Sequence, residues 1–245
     1  YSSSSTGVVT IDGTGSTWYL SRDLQVGSSG RGTLNITGGG AVSNSQNGYV
    51  GAASGSTGEV VIDGVGSNWT VGGNLYIGGS NTAAGGDGAM TVQNRATVQV
   101  GNTLTIWSTG SVHLDNGTIT FKSLDNSHGG TFTHGNGIMT VDGGTFNPGT
   151  SDYSVDGTRL STLKVDGGSD NFSSTLRVGD LGLGRLNLIG GGEVSNTDGT
   201  IALAAGSTGM VVVDGAGSTW TNSGNLGVGD AGRGTLTVTG GATVA

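Results

Sequence analysis

The side chains able to do acid–base or metal chemistry in this chain are three histidines and 17 acidic residues. His128 and His134 bracket the run Gly-Gly-Thr-Phe-Thr close to Asp125, and His113 stands upstream. Two imidazoles and a carboxylate are a ligand set by type, but a separation of six residues is not a spacing that marks a zinc site. Polysaccharide cleavage needs two or three carboxylates, or carboxylates with Arg or Lys, converging on one groove. Glutamate occurs only at 59 and 193, and the nine basic residues are scattered from Arg22 to Arg233. Arg31, Arg185 and Arg233 recur in similar turns (SSGRGTL, LGLGRLN, DAGRGTL), which reads as a feature of a repeat. Glycine runs at 38–40 and 190–192 lack the Lys-Ser/Thr ending of a phosphate loop. No catalytic, cofactor-binding or metal-ligating residue is therefore assigned, no cofactor is expected, and the chain is read as a non-enzyme.

Two other residue sets recur with regular spacing. Aspartates 12, 63, 142, 166 and 214 all sit in a Val/Ile-Asp-Gly turn, and Asp115 is followed by Asn116-Gly117. Calcium needs several oxygens at 2.3–2.6 Å. Aspartates on alternate repeats would stand ~9–10 Å apart, too far to share an ion, so each carboxylate is expected to bond backbone near its own turn. Trp18, Trp69 and Trp220 follow Ser-Thr or Ser-Asn at equivalent places. They read as core residues facing smaller side chains, with a sugar-binding platform as the alternative.

These residues are carried by an internal repeat. VVTIDGTGSTW at 8–18 returns as VVIDGVGSNW at 60–69 and VVVDGAGSTW at 211–220, with a degenerate LKVDGGSDNF at 163–172. The true unit is about half as long. One apolar series runs Ile11, Ile36, Ile62, Val92, Leu114, Val141, Val165, Leu188, Val213, Val238, at intervals of 22 to 30 residues. A second follows as Trp18, Val42, Trp69, Val98, Phe121, Phe146, Phe172, Val194, Trp220, Val244. A third is Val26, Val50, Ile77, Ile106, Phe132, Val155, Val178, Leu203, Val228. Each short segment alternates, sending aliphatic side chains to one side and polar ones to the other.

Three short strands per ~25 residues, separated by Gly, Asn, Asp and Ser turns, predict one coil of a β-solenoid. The expected fold is all-β: a right-handed parallel β-helix of about ten coils, ~45–50 Å long at the ~4.8 Å strand spacing. One solenoid over 1–245 is expected, with irregular coils over 100–160, where all three histidines and Pro148 lie. Coils alternate in kind: one carries Asp-Gly and an aromatic, the next Thr-Gly-Gly and a valine.

Composition agrees and excludes much. Fifty-three glycines and one proline suit sharp turns and uninterrupted ladders. Absent cysteine excludes disulfides. No apolar run reaches the ~18 residues of a membrane helix, and YSSSSTG at 1–7 is no signal peptide. A net charge of −8 disfavours nucleic acid.

The units GVVTIDGTGSTW, GNLYIG, GRGTLTVTGGATV and TGMVVVDGAGSTWTNSGNLGVG resemble the repeats of autotransporter passenger regions and related large secreted bacterial surface proteins. The resemblance is strongest at 6–99 and 175–245. It implies a right-handed β-helix stalk exported to the bacterial surface or matrix, serving as an adhesin, aggregation factor or protease-bearing arm, and it supplies no catalytic residue. No polar cap is evident at either end, which solenoids normally need. The expected partners are copies of itself or flanking repeats end to end, with surface polysaccharide or another cell surface second. The expected function is an extracellular structural fibre or stalk segment. The alternatives are an adhesin or carbohydrate-binding module and a polysaccharide-degrading enzyme.

Overall fold

The structure, a computed structural model, describes residues 5–149, 152–172 and 174–245. Residues 1–4 of the opening YSSSSTG and residues 150–151 of the irregular stretch lie outside them. The chain is an all-β parallel solenoid of about nine turns. It divides into two compact units, Tyr1–Thr133 and His134–Ala245, with the division inside the stretch expected to be irregular.

In the first unit the strands come in threes. They are β1 (Thr6–Asp12), β2 (Thr17–Leu20) and β3 (Leu24–Val26); β4 (Arg31–Thr37), β5 (Ala41–Asn44) and β6 (Gly48–Val50); β7 (Thr57–Asp63), β8 (Asn68–Val71) and β9 (Leu75–Ile77); β10 (Asp87–Gln93), β11 (Thr97–Val100) and β12 (Thr103–Ile106); β13 (Gly110–Asp115), β14 (Gly117–Phe121) and β15 (Ser123–Asp125). A single strand, β16 (Thr131–His134), follows and extends the ladder of β13. The second unit resumes in threes with β17 (Gly137–Asp142), β18 (Phe146–Asn147) and β19 (Tyr153–Val155); β20 (Ser161–Asp166), β21 (Ser169–Asn171) and β22 (Leu176–Val178); β23 (Leu183–Ile189), β24 (Glu193–Asn196) and β25 (Gly199–Ile201); β26 (Thr208–Asp214), β27 (Thr219–Asn222) and β28 (Leu226–Val228); then β29 (Arg233–Thr239) and β30 (Thr243–Val244).

Within each unit, strands pair in parallel with their counterparts one coil on, so equivalent residues stack. Leu34, Val60, Met90 and Val112 form one column, and Ile36, Ile62, Val92 and Leu114 another. Leu163, Leu186 and Val211 repeat this in the second unit, beside Val165, Leu188 and Val213. All of these are buried. Burying one such side chain contributes ~1.5–3 kcal/mol, which no isolated strand of three to seven residues could gather.

Glycine has two separate roles. Gly38 and Gly39 turn the chain at φ of 59° and 90°, as the turn chemistry predicts. Gly58 has another reason. It stacks with Gly32 and Gly88 in a column of glycines within the strands. A Cβ there would overlap the Val26 carbonyl oxygen and the Gly51 nitrogen, so the strand's start is packed backbone on backbone.

The sequence periodicity needs four corrections. The residue in register with Val98 is Ile119, two before Phe121. Phe132 lies in β16, a strand additional to the threes, and the third strand of the preceding coil is β15 with buried Leu124. Leu203 lies in a turn at 36% exposure, and the buried residue of its coil is Ile201. Phe172 falls just past β21, and the residue in register with Val194 is Asp170. In the regular Asp-Gly coils the inward aromatic is the sixth residue after the aspartate, as Trp220 is after Asp214. After Asp166 the turn is two residues shorter, so the fourth residue takes the inward place.

Gly58→Ala should destabilise the chain by ~3 kcal/mol, because two backbone strands must move apart. Gly55→Ala, at φ +78° with open space around it, should cost only ~1–2 kcal/mol from left-handed strain. Urea unfolding of the pair checks this, and equal losses would show that the glycine column does not set the coil spacing.

Candidate functional site

The tryptophans take the core role. Trp69 stacks between Val42 and Val98, and Trp220 between Val194 and Val244, so large and small side chains alternate along the columns. Both indoles are fully buried. Trp69 Nε1 donates to Asn44 Oδ1 at 3.0 Å, and Trp220 Nε1 to Asn196 Oδ1 at 2.7 Å. Asn44 Nδ2 in turn donates to the carbonyls of Gln46 and Asn47. The sugar-platform alternative therefore loses Trp69 and Trp220, since a ring with both faces in the core cannot stack on a sugar. Trp18 is half-buried opposite Val42. Trp107 is also half-buried; Gly79 lies against its Cδ1 and Cγ, and the His128 ring stacks on it at 4.0 Å. Its Nε1 donates to the Ser80 carbonyl at 2.9 Å, pinning the longer 78–86 turn.

The Asp-Gly carboxylates reach the next coil, where bonds within their own turns were expected. Asp12 Oδ1 accepts the Thr37 hydroxyl at 2.7 Å, and Asp214 Oδ1 accepts that of Thr239 at 2.8 Å. Asp63 Oδ1 accepts Asn94 Nδ2 at 2.7 Å. The alternation of Asp-Gly with Thr-Gly-Gly coils follows from this: each acceptor is stacked on a donor, and no carboxylate on a carboxylate. One pair breaks the rule. Asp142 and Asp166 are opposite each other on adjacent coils, whereas the sequence reading separated such aspartates by a coil. Lys164 Nζ lies 2.8 Å from Asp166 Oδ2 and offsets the repulsion. A second set of side chains ties coil to coil through backbone. Asp23 Oδ1 accepts the Asn47 N–H, Asn47 Oδ1 that of Asn74, and Asn74 Oδ1 that of Thr103, at 2.9, 2.9 and 3.1 Å. Asp198 Oδ1 does the same for Asn225 at 2.8 Å.

The histidines have three different environments. His113 points outward from β13 and is exposed. His128 Nε2 stands 3.5 Å from Asp125 Oδ2, whose other oxygen accepts the Ser127 N–H and hydroxyl. His134 is buried; its Nδ1 lies 3.1 Å from the Tyr153 hydroxyl and its Nε2 3.4 Å from the Gly137 carbonyl. Both ring nitrogens of His134 thus face partners of the fold. Among the described residues, no group of three or more His, Cys, Asp or Glu is placed to hold a metal ion.

The most chemically unusual place is the start of the second unit. Tyr153, Phe146 and Phe172 form a ring cluster with centroids 5.1–5.6 Å apart, and His134 bonds the tyrosine. Asp170 points inward in the column that holds Val194 and Trp220, at 3% exposure. One oxygen accepts the Phe146 N–H; the other is buried with no hydrogen-bond partner. Burial pushes the Asp170 carboxyl up to about 7, the Phe146 N–H drawing it part of the way back. Burial lowers His134 to about 4, partly opposed by the Gly137 carbonyl, and raises the Tyr153 hydroxyl. The exposed Asp152 goes the other way, down to about 2, through the Ser174 hydroxyl, Arg177 and the Thr175 N–H. At neutral pH the buried set is neutral His, neutral Tyr and an Asp close to its titration point. It can hold or release one proton near neutral pH.

Sequence reasoning named His134 and Phe146 but missed Asp170 and Tyr153. A carboxylate at an inward position contradicts the alternation used to find such positions. The shortened turn after Asp166 was the available signal.

No protein-family model matches this chain, and no match was found among the curated proteins or the solved structures. The fold and the stacking of equivalent residues define the chain as a parallel β-solenoid repeat protein.

The two buried groups should oppose one another in pH dependence. Asp170 is raised from its unfolded value near 4 to about 7, so the folded state holds the extra proton and stability falls as pH rises between those values. His134 is lowered from 6.5 to about 4, so stability falls as pH drops through that window. Each effect is on the order of 3 kcal/mol, and the sum is nearly level from pH 4 to 6.5. Asp170→Asn should leave a melting temperature that climbs over this range, and His134→Gln one that declines. Unchanged profiles in both variants would mean that neither group titrates as its burial demands.

Proposed function

We propose that this chain is a segment of an extracellular structural fibre or stalk of a bacterial surface or matrix protein. It would continue in further repeats or stack head to tail on copies of itself. The observation that carries this reading is the density of ties between coils. The Asp12–Thr37 and Asp214–Thr239 pairs, the Asp23–Asn47–Asn74–Thr103 series and the Asp198–Asn225 bond all join one coil to the next. They add to the backbone ladders and to columns of buried aliphatics. In a quasi-one-dimensional fold each coil is held only by its neighbours, so such ties determine how well it resists unravelling and proteolysis.

The competing readings have less behind them. The carbohydrate-binding reading rested on tryptophans that are buried at 69 and 220. The polysaccharide-cleaving reading calls for three carboxylates converging on one groove in 100–160. The surface carries the net charge of −8, which favours solubility of a long assembly over self-association by its sides.

Electron microscopy of the native material, with labelling of intact cells by an antibody to this segment, checks both parts. Thin filaments or stalks with a ~4.8 Å axial repeat, labelled without lysis, are expected. Isolated globular particles would overturn the structural role, and labelling only after lysis would overturn the extracellular one.

A further inference from the structure

The long strands of the second unit and their corners carry several exposed large apolar residues. In the first unit the outward residues of β4, β7 and β10 are mostly polar: Thr33, Asn35 and Thr37; Glu59, Val61 and Asp63; Ala89, Thr91 and Gln93. In the second, the outward positions of β17, β20, β23 and β26 are also largely polar (Thr140, Thr162, Lys164, Asn187), but Ile138, Ile189, Met210 and Val212 stand among them. Leu160 and Leu183 flank them, and Leu181 stands at the adjoining corner at 77% exposure. Since the two units share the strand motif, the fold does not demand these apolar residues. Leu181 and Leu183 also line an open groove of about 670 Å³.

Arg185 lies within this face. The repeat-like turn suggested equivalence with Arg31 and Arg233, which open β4 and β29. The register instead places Arg185 two residues further on, in mid-strand, between Thr162 and Met210. Its Nη2 reaches only the Met210 sulfur, at 3.6 Å, a weak acceptor, and its Nε is buried without a partner. It forms no ion pair among the described residues. Nearby charges are already engaged: Lys164 with Asp166 at 2.8 Å, and Asp156 with the N–H groups of Leu181 and Gly182. An unpaired guanidinium amid Met, Leu and Ile has the composition of an interface hot spot.

The patch is small. Four strand spacings by six residue rises give roughly 400 Å², about half of what each partner gives to a stable protein–protein interface. A second copy is disfavoured by area. A short segment is not.

We propose that this face docks a short, extended, acidic peptide segment. Its carboxylate pairs with Arg185, and its flanking apolar side chains cover Ile138, Leu160, Leu183, Met210 and Val212. This is independent of the stalk reading, since it concerns only the second unit's side.

The test uses fluorescence anisotropy on the full chain near 0.15 M salt, with three labelled hexapeptides of alternating Leu-Glu, Leu-Gln and Leu-Lys. Saturable binding of the Leu-Glu peptide is expected, about tenfold weaker for Leu-Gln and absent for Leu-Lys. Arg185→Gln should abolish the Glu preference, Arg185→Glu should transfer it to the Leu-Lys peptide, and Leu183→Ser should weaken binding throughout. The proposal fails if the Leu-Glu peptide does not saturate below about 1 mM, or if Leu-Lys binds equally. It also fails if Arg185→Gln binds as the parent does, or if an oligogalacturonate binds at this face and the peptide does not. Should the Arg185 variants not fold, the three peptides on the parent chain decide alone.

Discussion

Equivalent residues of successive coils stand one strand spacing apart, ~4.8 Å, and most other features follow from that proximity. A side chain's nearest neighbours are its own counterparts above and below. Two tryptophans cannot share such a column without strain, so Trp69 has Val42 and Val98 beside it. Two carboxylates repel there, so Asp12 and Asp214 meet the threonines of the next coil. Where strand starts and turns pack backbone on backbone, even a methyl group is excluded, and the Gly32–Gly58–Gly88 column results. The two-coil periodicity of the sequence is thus a solution to stacking for Trp69, Trp220 and the Asp-Gly carboxylates, each of which lies on an unlike neighbour except where Asp142 meets Asp166.

The constraint is relaxed around residues 131–172, and there the structure becomes chemically distinctive. A single strand, β16, stands outside the threes, and the next coils carry shortened turns. Phe146, Phe172 and Tyr153 fill space that aliphatic columns occupy elsewhere, and His134 and Asp170 enter the interior with them. A buried His bonded to a Tyr hydroxyl and a Gly carbonyl is satisfied. A buried carboxyl with one orphaned oxygen is not, and it keeps its proton to higher pH because the apolar surroundings disfavour its charge. Burial thus shifts the two groups in opposite senses, holding the proton on Asp170 and removing it from His134.

Outward side chains escape the stacking constraint in part, since solvent takes up what neighbours do not. That freedom is used differently in the two units. Both cover most of the long-strand face with polar residues, and the second adds Ile138, Leu183, Met210 and Val212 in the neighbourhood of Arg185. The interior thus accounts for the fold, and the difference between the exteriors is where a specific role beyond scaffolding has room to arise.

Alternation of period two and a ~25-residue repeat were enough to place the coils, the core valines and isoleucines, and the tryptophans in small–large columns, because those patterns come from local backbone geometry and from burial. The stacking partners were beyond their reach. That Asp12 bonds Thr37, that Asp142 faces Asp166, that Arg185 sits in mid-strand apart from Arg31, and that Asp170 rather than Phe172 takes the inward place are matters of register. Register between coils depends on how many residues each turn consumes, and a turn's length in space is set by the coil it must pack on. The sequence alone determined which residues can lie inside a solenoid; only the tertiary structure decided which of them meet.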